Sequence, residues 1–93
     1  MFAIAFDLTV RETAKYHPKG MSAAYRDVGK LLAEFDFEWA QGSLYVTRRE
    51  DLTNLMAALV ALKALSWFPP SVRDIRAFRM ENWSDFTDFV KQQ

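Results

Sequence analysis

Apolar residues fall along the chain in two rhythms, and the first is the simplest. Met1-Phe2-Ala3-Ile4-Ala5-Phe6 runs unbroken and is followed by Asp7 and Leu8. A short continuous apolar run, rich in Phe and Ile and without a 3.6-residue rhythm, predicts a strand covered on both faces. Asp7 closes that strand. A carboxylate beside so much apolar surface needs a partner, a metal or a proton, because an unpaired buried charge is costly or titrates away.

The remaining segments follow in order. Thr9-Val10-Arg11-Glu12 has the spacing of a capping box and predicts a short helical turn. Tyr16-His17-Pro18-Lys19-Gly20 reads as a turn, so this segment forms a mobile loop that carries Arg11, Lys15 and Lys19 beside Asp7. Over 21–35, Met21, Tyr25, Val28, Leu32 and Phe35 recur at alternating spacings of four and three, the stripe of an amphipathic helix, widened by Ala24 and Leu31. Gly29 in its middle costs about 1 kcal/mol relative to Ala and marks close packing against a sheet. Residues 37–41 and 43–47 are aromatic and β-branched and read as two strands joined at Gly42. Asp51 caps a second long helix whose buried face is Leu52, Leu55, Met56, Leu59, Val60 and Leu62. Ser66-Trp67-Phe68-Pro69-Pro70 ends it. Residues 72–80 form a fourth strand. Residues 81–93 hold a short amphipathic helix with Ser84 as cap and Phe86, Phe89 and Val90 on its inner face.

The order strand, helix, strand, strand, helix, strand is the α+β, ferredoxin-like βαββαβ pattern: one antiparallel sheet with two helices on one face. Residues 1–80 make that domain, and 81–93 form a tail helix docked on the domain or on a dimer. Helices cover one face only, yet the first strand reads as buried on both. A second copy of the same sheet is the simplest cover.

Composition narrows the class. The chain has 93 residues, enough for one small core. Hydrophobic residues at 51% rule out global disorder. A formal net charge of +0 argues against a bulk nucleic-acid coat protein but leaves room for a local basic patch. With no cysteine, disulfides and thiol catalysis are excluded. The first apolar run lacks a basic flank and is cut by Asp7 too early for a signal peptide. No segment is suited to span a bilayer, so a cytoplasmic protein is expected.

Four blocks carry a resemblance over almost the whole chain. They are Phe2-Ala3-Ile4-Ala5-Phe6-Asp7-Leu8, residues 37–46 (Phe-Glu-Trp-Ala-Gln-Gly-Ser-Leu-Tyr-Val), Val72-Arg73-Asp74-Ile75-Arg76-Ala77-Phe78 and Ser84-Asp85-Phe86-Thr87. In this order they resemble the virulence-associated protein D family, with a weaker likeness to the small CRISPR-associated nuclease of spacer acquisition. The resemblance implies a ferredoxin-like homodimer with endoribonuclease activity on RNA. It also implies a divalent cation, Mg²⁺ or another, held between the two copies of Asp7. Some members of the family act as toxins, so an antitoxin protein is an implied partner.

The candidate residues follow. Asp7 is the catalytic carboxylate and metal ligand; without the resemblance, capping the turn at Leu8 would be the better reading. Each chain offers one evident catalytic carboxylate, so two related by symmetry are needed. Arg11, Lys15, Arg73 and Arg76 are the chosen phosphate contacts, with Arg48, Arg49 and Arg79 as weaker ones, each weighed against a solvated surface. Ser43 binds phosphate or finishes a bend. Arg73 and Arg76 should lie beside Asp7, and Arg76 is expected to stabilise the transition state. His17, next to Pro18, reads as a solvated turn residue rather than a general base. Trp39, Tyr45 and Trp67 read as core or interface before base-stacking. The rival function is a non-catalytic dimeric module that binds nucleic acid or protein on the same platform.

Overall fold

A computed structural model describes residues 1–92. β1 (Phe2–Leu8), β2 (Glu38–Gln41), β3 (Leu44–Thr47) and β4 (Val72–Arg79) form one antiparallel sheet of order β2-β3-β1-β4. Five helices accompany it among the described residues: α1 (Val10–Tyr16), α2 (Gly20–Ala33), α3 (Leu52–Ala64), α4 (Phe68–Ser71) and α5 (Thr87–Lys91). Strands and helices alternate as in a ferredoxin-like fold.

The apolar run explains the central place of β1. Its side chains alternate between the faces. Phe2, Ile4, Phe6 and Leu8 join the core with Val28 and Leu32 of α2 and Leu55, Ala58 and Leu62 of α3. Ala3, Ala5 and Asp7 point to the second face. There Ala3 lies opposite Val46 and Phe78, and Ala3 and Val46 are fully buried. Ala5 and Asp7 are only half-buried. The second face is therefore sealed at its Met1 end and accessible at its Asp7 end.

Gly29 has a steric reason. A Cβ there would stand 3.1 Å from the Tyr45 hydroxyl of β3, so α2 lies as close to the sheet as expected. The chain leaves α2 through Asp36 at φ 65°, and the Phe37 N–H bonds back to the Leu32 carbonyl at 3.0 Å. A left-handed residue with such a long back-bond is a common helix stop.

Five local expectations change. The first concerns α3. Asp51 caps it, accepting a bond from the Asn54 N–H, but its buried residues are Asn54, Leu55, Ala58 and Leu62, while Leu52, Met56 and Val60 are 62%, 55% and 60% exposed. The Asn54 side-chain amide donates to the Phe35 carbonyl at 2.8 Å, which turns this polar residue inward. The helix is apolar nearly all round, so periodicity alone does not fix which side faces the core.

The second change is in the segment after Asp7, which is a seven-residue helix rather than a mobile loop. Its Thr9 hydroxyl makes no cap and instead donates to the Ser71 carbonyl, as the Thr9 N–H does. These bonds fasten the start of α1 to the end of α4. Third, His17 is buried, not solvated. Its Nδ1 accepts the Lys19 N–H at 3.0 Å, its Nε2 lies 2.7 Å from an Asp27 oxygen, and its ring stands edge-on to Trp67. Fourth, Pro69 and Pro70 do not merely end α3; they occupy the first turn of α4, where no N–H is needed. Fifth, Ser84 does not cap the tail helix. The Asp85 carboxylate accepts the Thr87 N–H, and α5 has no buried residue, leaving Phe86, Phe89 and Val90 exposed.

Gly29→Val should lower the melting temperature, at about 1–3 kcal/mol for overpacking against Tyr45, and thermal unfolding followed by circular dichroism checks it.

Candidate active site

The Asp7 end of the second face is built by a bulge. Asp7 pairs with Asp74 and Leu8 with Val72, so Arg73 is one extra residue in β4. Such an insertion bends the strand and re-aims a side chain. Here it brings the Arg73 guanidinium onto Asp7: Nε and Nη2 both donate to Oδ2, the former at 3.0 Å. Arg76, two residues past Asp74 and therefore on the same face, donates from Nε to both Asp74 oxygens, at 3.1 and 3.3 Å.

Four charges thus share one patch. Residues directly opposite in an antiparallel pair have Cβ atoms about 5 Å apart, so Asp7 and Asp74 are near neighbours. Like charges at that spacing repel, and each carboxylate is answered by its own arginine. The bonded carboxylates push both guanidiniums above their ordinary values, Asp7 acting on Arg73 and Asp74 on Arg76. All four side chains are half or more open to solvent, from 46% for Asp7 to 77% for Arg76. The pairs are therefore weak locks that an anion or cation can enter.

Ser43 borders the patch on the other edge of β1, where its carbonyl accepts the Phe6 N–H. A shallow depression of about 410 Å³ lies there, lined by Ala5, Phe6, Gln41, Gly42, Ser43 and Leu44. Arg11 and Lys15 are exposed one turn apart on α1, the helix that follows Asp7 directly. The structure therefore gathers Asp7, Ser43, Arg73 and Arg76 at one end of the sheet, with Arg11 and Lys15 on the adjoining helix.

The weaker candidates lie elsewhere. Arg49 is bound to Asp36 and Asp51. Arg79 is bound to Glu50 and stands 4.5 Å over the Phe2 ring. Arg48 follows the end of β3 that pairs with Phe2, away from Asp7. Tyr45 and Trp67 are core residues. Trp39 is exposed, with its indole N–H donated to the Gly42 carbonyl.

Two expectations are refined. Arg73, not Arg76, is the arginine on Asp7. The site also has a second carboxylate that sequence reasoning missed, Asp74. The available signal was the alternation Asp74-Ile75-Arg76, which places Asp74 and Arg76 on one face. Its register against Asp7 depends on a bulge that no residue pattern announces.

No family model matches the chain. Curated proteins do. One from Neisseria gonorrhoeae named "Endoribonuclease VapD homolog" is 60% identical over 91 residues, 98% of this chain and 99% of that protein. "Endoribonuclease VapD" of Haemophilus influenzae is 58% identical over 91 residues, 98% of this chain and 99% of its own length. "Endoribonuclease VapD" of Helicobacter pylori is 42% identical over 93 residues, again covering nearly all of both chains.

The chain belongs to the VapD family. The four sequence blocks that pointed there map onto β1, the β2–β3 hairpin, β4 and the start of the tail. Three of them meet at the Asp7 patch, so the part of the chain most like VapD is also the part that builds this site. Among the described residues no helix is long and apolar enough to cross a membrane.

Because Asp7 and Arg73 are both well exposed, Asp7→Asn in this VapD chain should fold normally. Its far-UV circular dichroism should match wild type and its melting temperature should shift only slightly, as for a surface ion pair.

Proposed function

We propose that this chain is an endoribonuclease that cleaves RNA as a homodimer with a divalent cation. The observation that carries the reading is the position of Asp7. It stands at the end of the central strand, on the accessible end of a sheet face that no helix covers, ringed by Asp74, Arg73, Arg76 and Ser43. The names of the relatives support RNA as substrate.

The residues suit such a reaction. Arg73 and Arg76 are guanidiniums already aimed at oxyanions, and a phosphate group can exchange for a carboxylate in the same fork geometry. Arg11 and Lys15 can hold the strand on either side of the cleaved bond. Ser43 can donate its hydroxyl to a phosphate oxygen.

A cation fits the donor set. Among the described residues no cluster of three or more His, Cys, Asp or Glu forms a closed metal cage. Asp7 and Asp74 supply two carboxylates, and Mg²⁺ is commonly held by one or two carboxylates with waters and substrate phosphate completing its shell. A bound cation would offset charge on the phosphate and lower the pKa of a bound water.

Dimerisation through the second face would bring two Asp7 patches together and cover the half-buried Ala5, Leu44 and exposed Phe78. It would also give the exposed tail helix a surface to dock on. A toxin role with an antitoxin partner, and a cytoplasmic location, belong to the same proposal and rest on family resemblance alone. The rival, a non-catalytic binding module, is favoured by one observation: Asp7 already has a partner in Arg73.

Purified wild type should cut a single-stranded RNA in the presence of Mg²⁺ and lose that activity in EDTA, and Asp7→Asn should be inactive in both. Equal cleavage by Asp7→Asn would give the binding module the lead, and a monomer mass by light scattering would remove the shared site.

The arginines separate by kinetics. Arg73→Ala should lower kcat and leave KM near its original value, the mark of an interaction made in the transition state. Arg11→Ala or Lys15→Ala should raise KM and flatten the salt dependence of RNA binding.

A further inference from the structure

The outer face of α3 is the largest departure from what the sequence predicts. Thirteen residues long, the helix contains one charged side chain, Lys63, and no acidic one. A helix apolar all round is ordinarily buried all round. Only half of this one is covered. Leu52, Met56 and Val60 form an exposed aliphatic row at spacings of four, flanked by the exposed Thr53, Ala57 and Ala64. α3 packs with α2 on the helix side of the sheet, so this row faces away from the second face and the Asp7 patch.

We infer that this row pairs with the same row of a second copy, the two α3 helices lying antiparallel across a two-fold axis near Ala57. The charges decide the occupant and its direction. Asp51 caps the N-terminal end of α3, and Lys63 stands in its last turn. An antiparallel pair brings the Lys63 end of each helix to the Asp51 end of the other, twice over by symmetry. A parallel pair would set like charges side by side. Opposed helix dipoles favour the same direction.

Side-chain sizes agree with this. With the axis near Ala57, Met56 of one helix meets Val60 of the other, and Leu52 meets Ala64. The small residues Ala57 and Ala64 let the helix axes approach. Three aliphatic side chains cover far less than the roughly 800 Å² per partner of a standard interface. The pairing is therefore weak and rises with concentration, and it is separate from any dimer made through the sheet. Two different two-fold contacts on one protomer link dimers into tetramers or longer ladders.

The chain has no cysteine, which makes a clean test. Ala57→Cys, mildly oxidised at high protein concentration, should give a disulfide-linked dimer on a non-reducing gel. Lys30→Cys, exposed on α2, should stay monomeric on the same gel. Adding Val60→Glu to Ala57→Cys should abolish the cross-link, and adding Lys63→Glu, which sets an acid against Asp51, should slow it. Circular dichroism of each variant confirms the fold. No cross-link at Ala57→Cys, or an equal one at Lys30→Cys, overturns the pairing. So does a cross-link indifferent to Val60→Glu, and the row then belongs to a different protein. None of these readings depends on RNA cleavage, which Val60→Glu should leave intact.

Discussion

The molecule depends on β1 being paired along both edges. A strand with neighbours on each side has its backbone bonds satisfied and exposes side chains alone, which is why it can be almost entirely apolar. Its register then dictates the rest. Phe2, Ile4, Phe6 and Leu8 set the floor on which α2 and α3 rest, and Gly29 lets α2 descend onto Tyr45. The opposite alternation sends Ala3, Ala5 and Asp7 to the other side. Asp7 is therefore not a surface residue that happens to be acidic. It is the last position of a core strand, held as rigidly as the core itself.

That rigidity extends to its neighbours. β4 lies against β1 over its whole length, and Thr9 is tied to Ser71 just beyond. A site resting on two adjacent strands varies less in geometry than one carried by loops, which suits chemistry that needs an anion placed accurately. The exposed ends of the side chains remain free to exchange partners. A fixed frame thus presents labile ion pairs, and a polyanion can displace one member without deforming the sheet.

Much of this was legible from residue order. The apolar run identified β1, and Gly29 announced the close approach of α2. The order of elements gave the sheet, and the four blocks gave the family. What escaped was whatever depends on a contact between distant segments. His17 reads as a loop residue until Asp27 and Trp67 enclose it. Asn54 reads as surface until Phe35 supplies its acceptor, and the face of α3 turns with it. Asp74 reads as one charge among several until pairing sets it across from Asp7. Ser84 looks like a cap, but Asp85 is the residue that reaches the Thr87 N–H. Local patterns describe each segment, and partners from elsewhere choose among the alternatives those patterns leave open.

The bulge at Arg73 has a further consequence for how the strand can change. Ordinarily, removing one residue from a paired strand turns every later side chain to the wrong face. Here the ladder already runs two residues against one, so the strand carries a spare position. Excising Arg73 would leave Asp74, Arg76 and Phe78 on their present side and take away a single cation. The site therefore contains a slot where one codon can be lost or replaced while the sheet keeps its alignment, and the charge balance around Asp7 can drift between descendants of this chain without the fold having to be rebuilt.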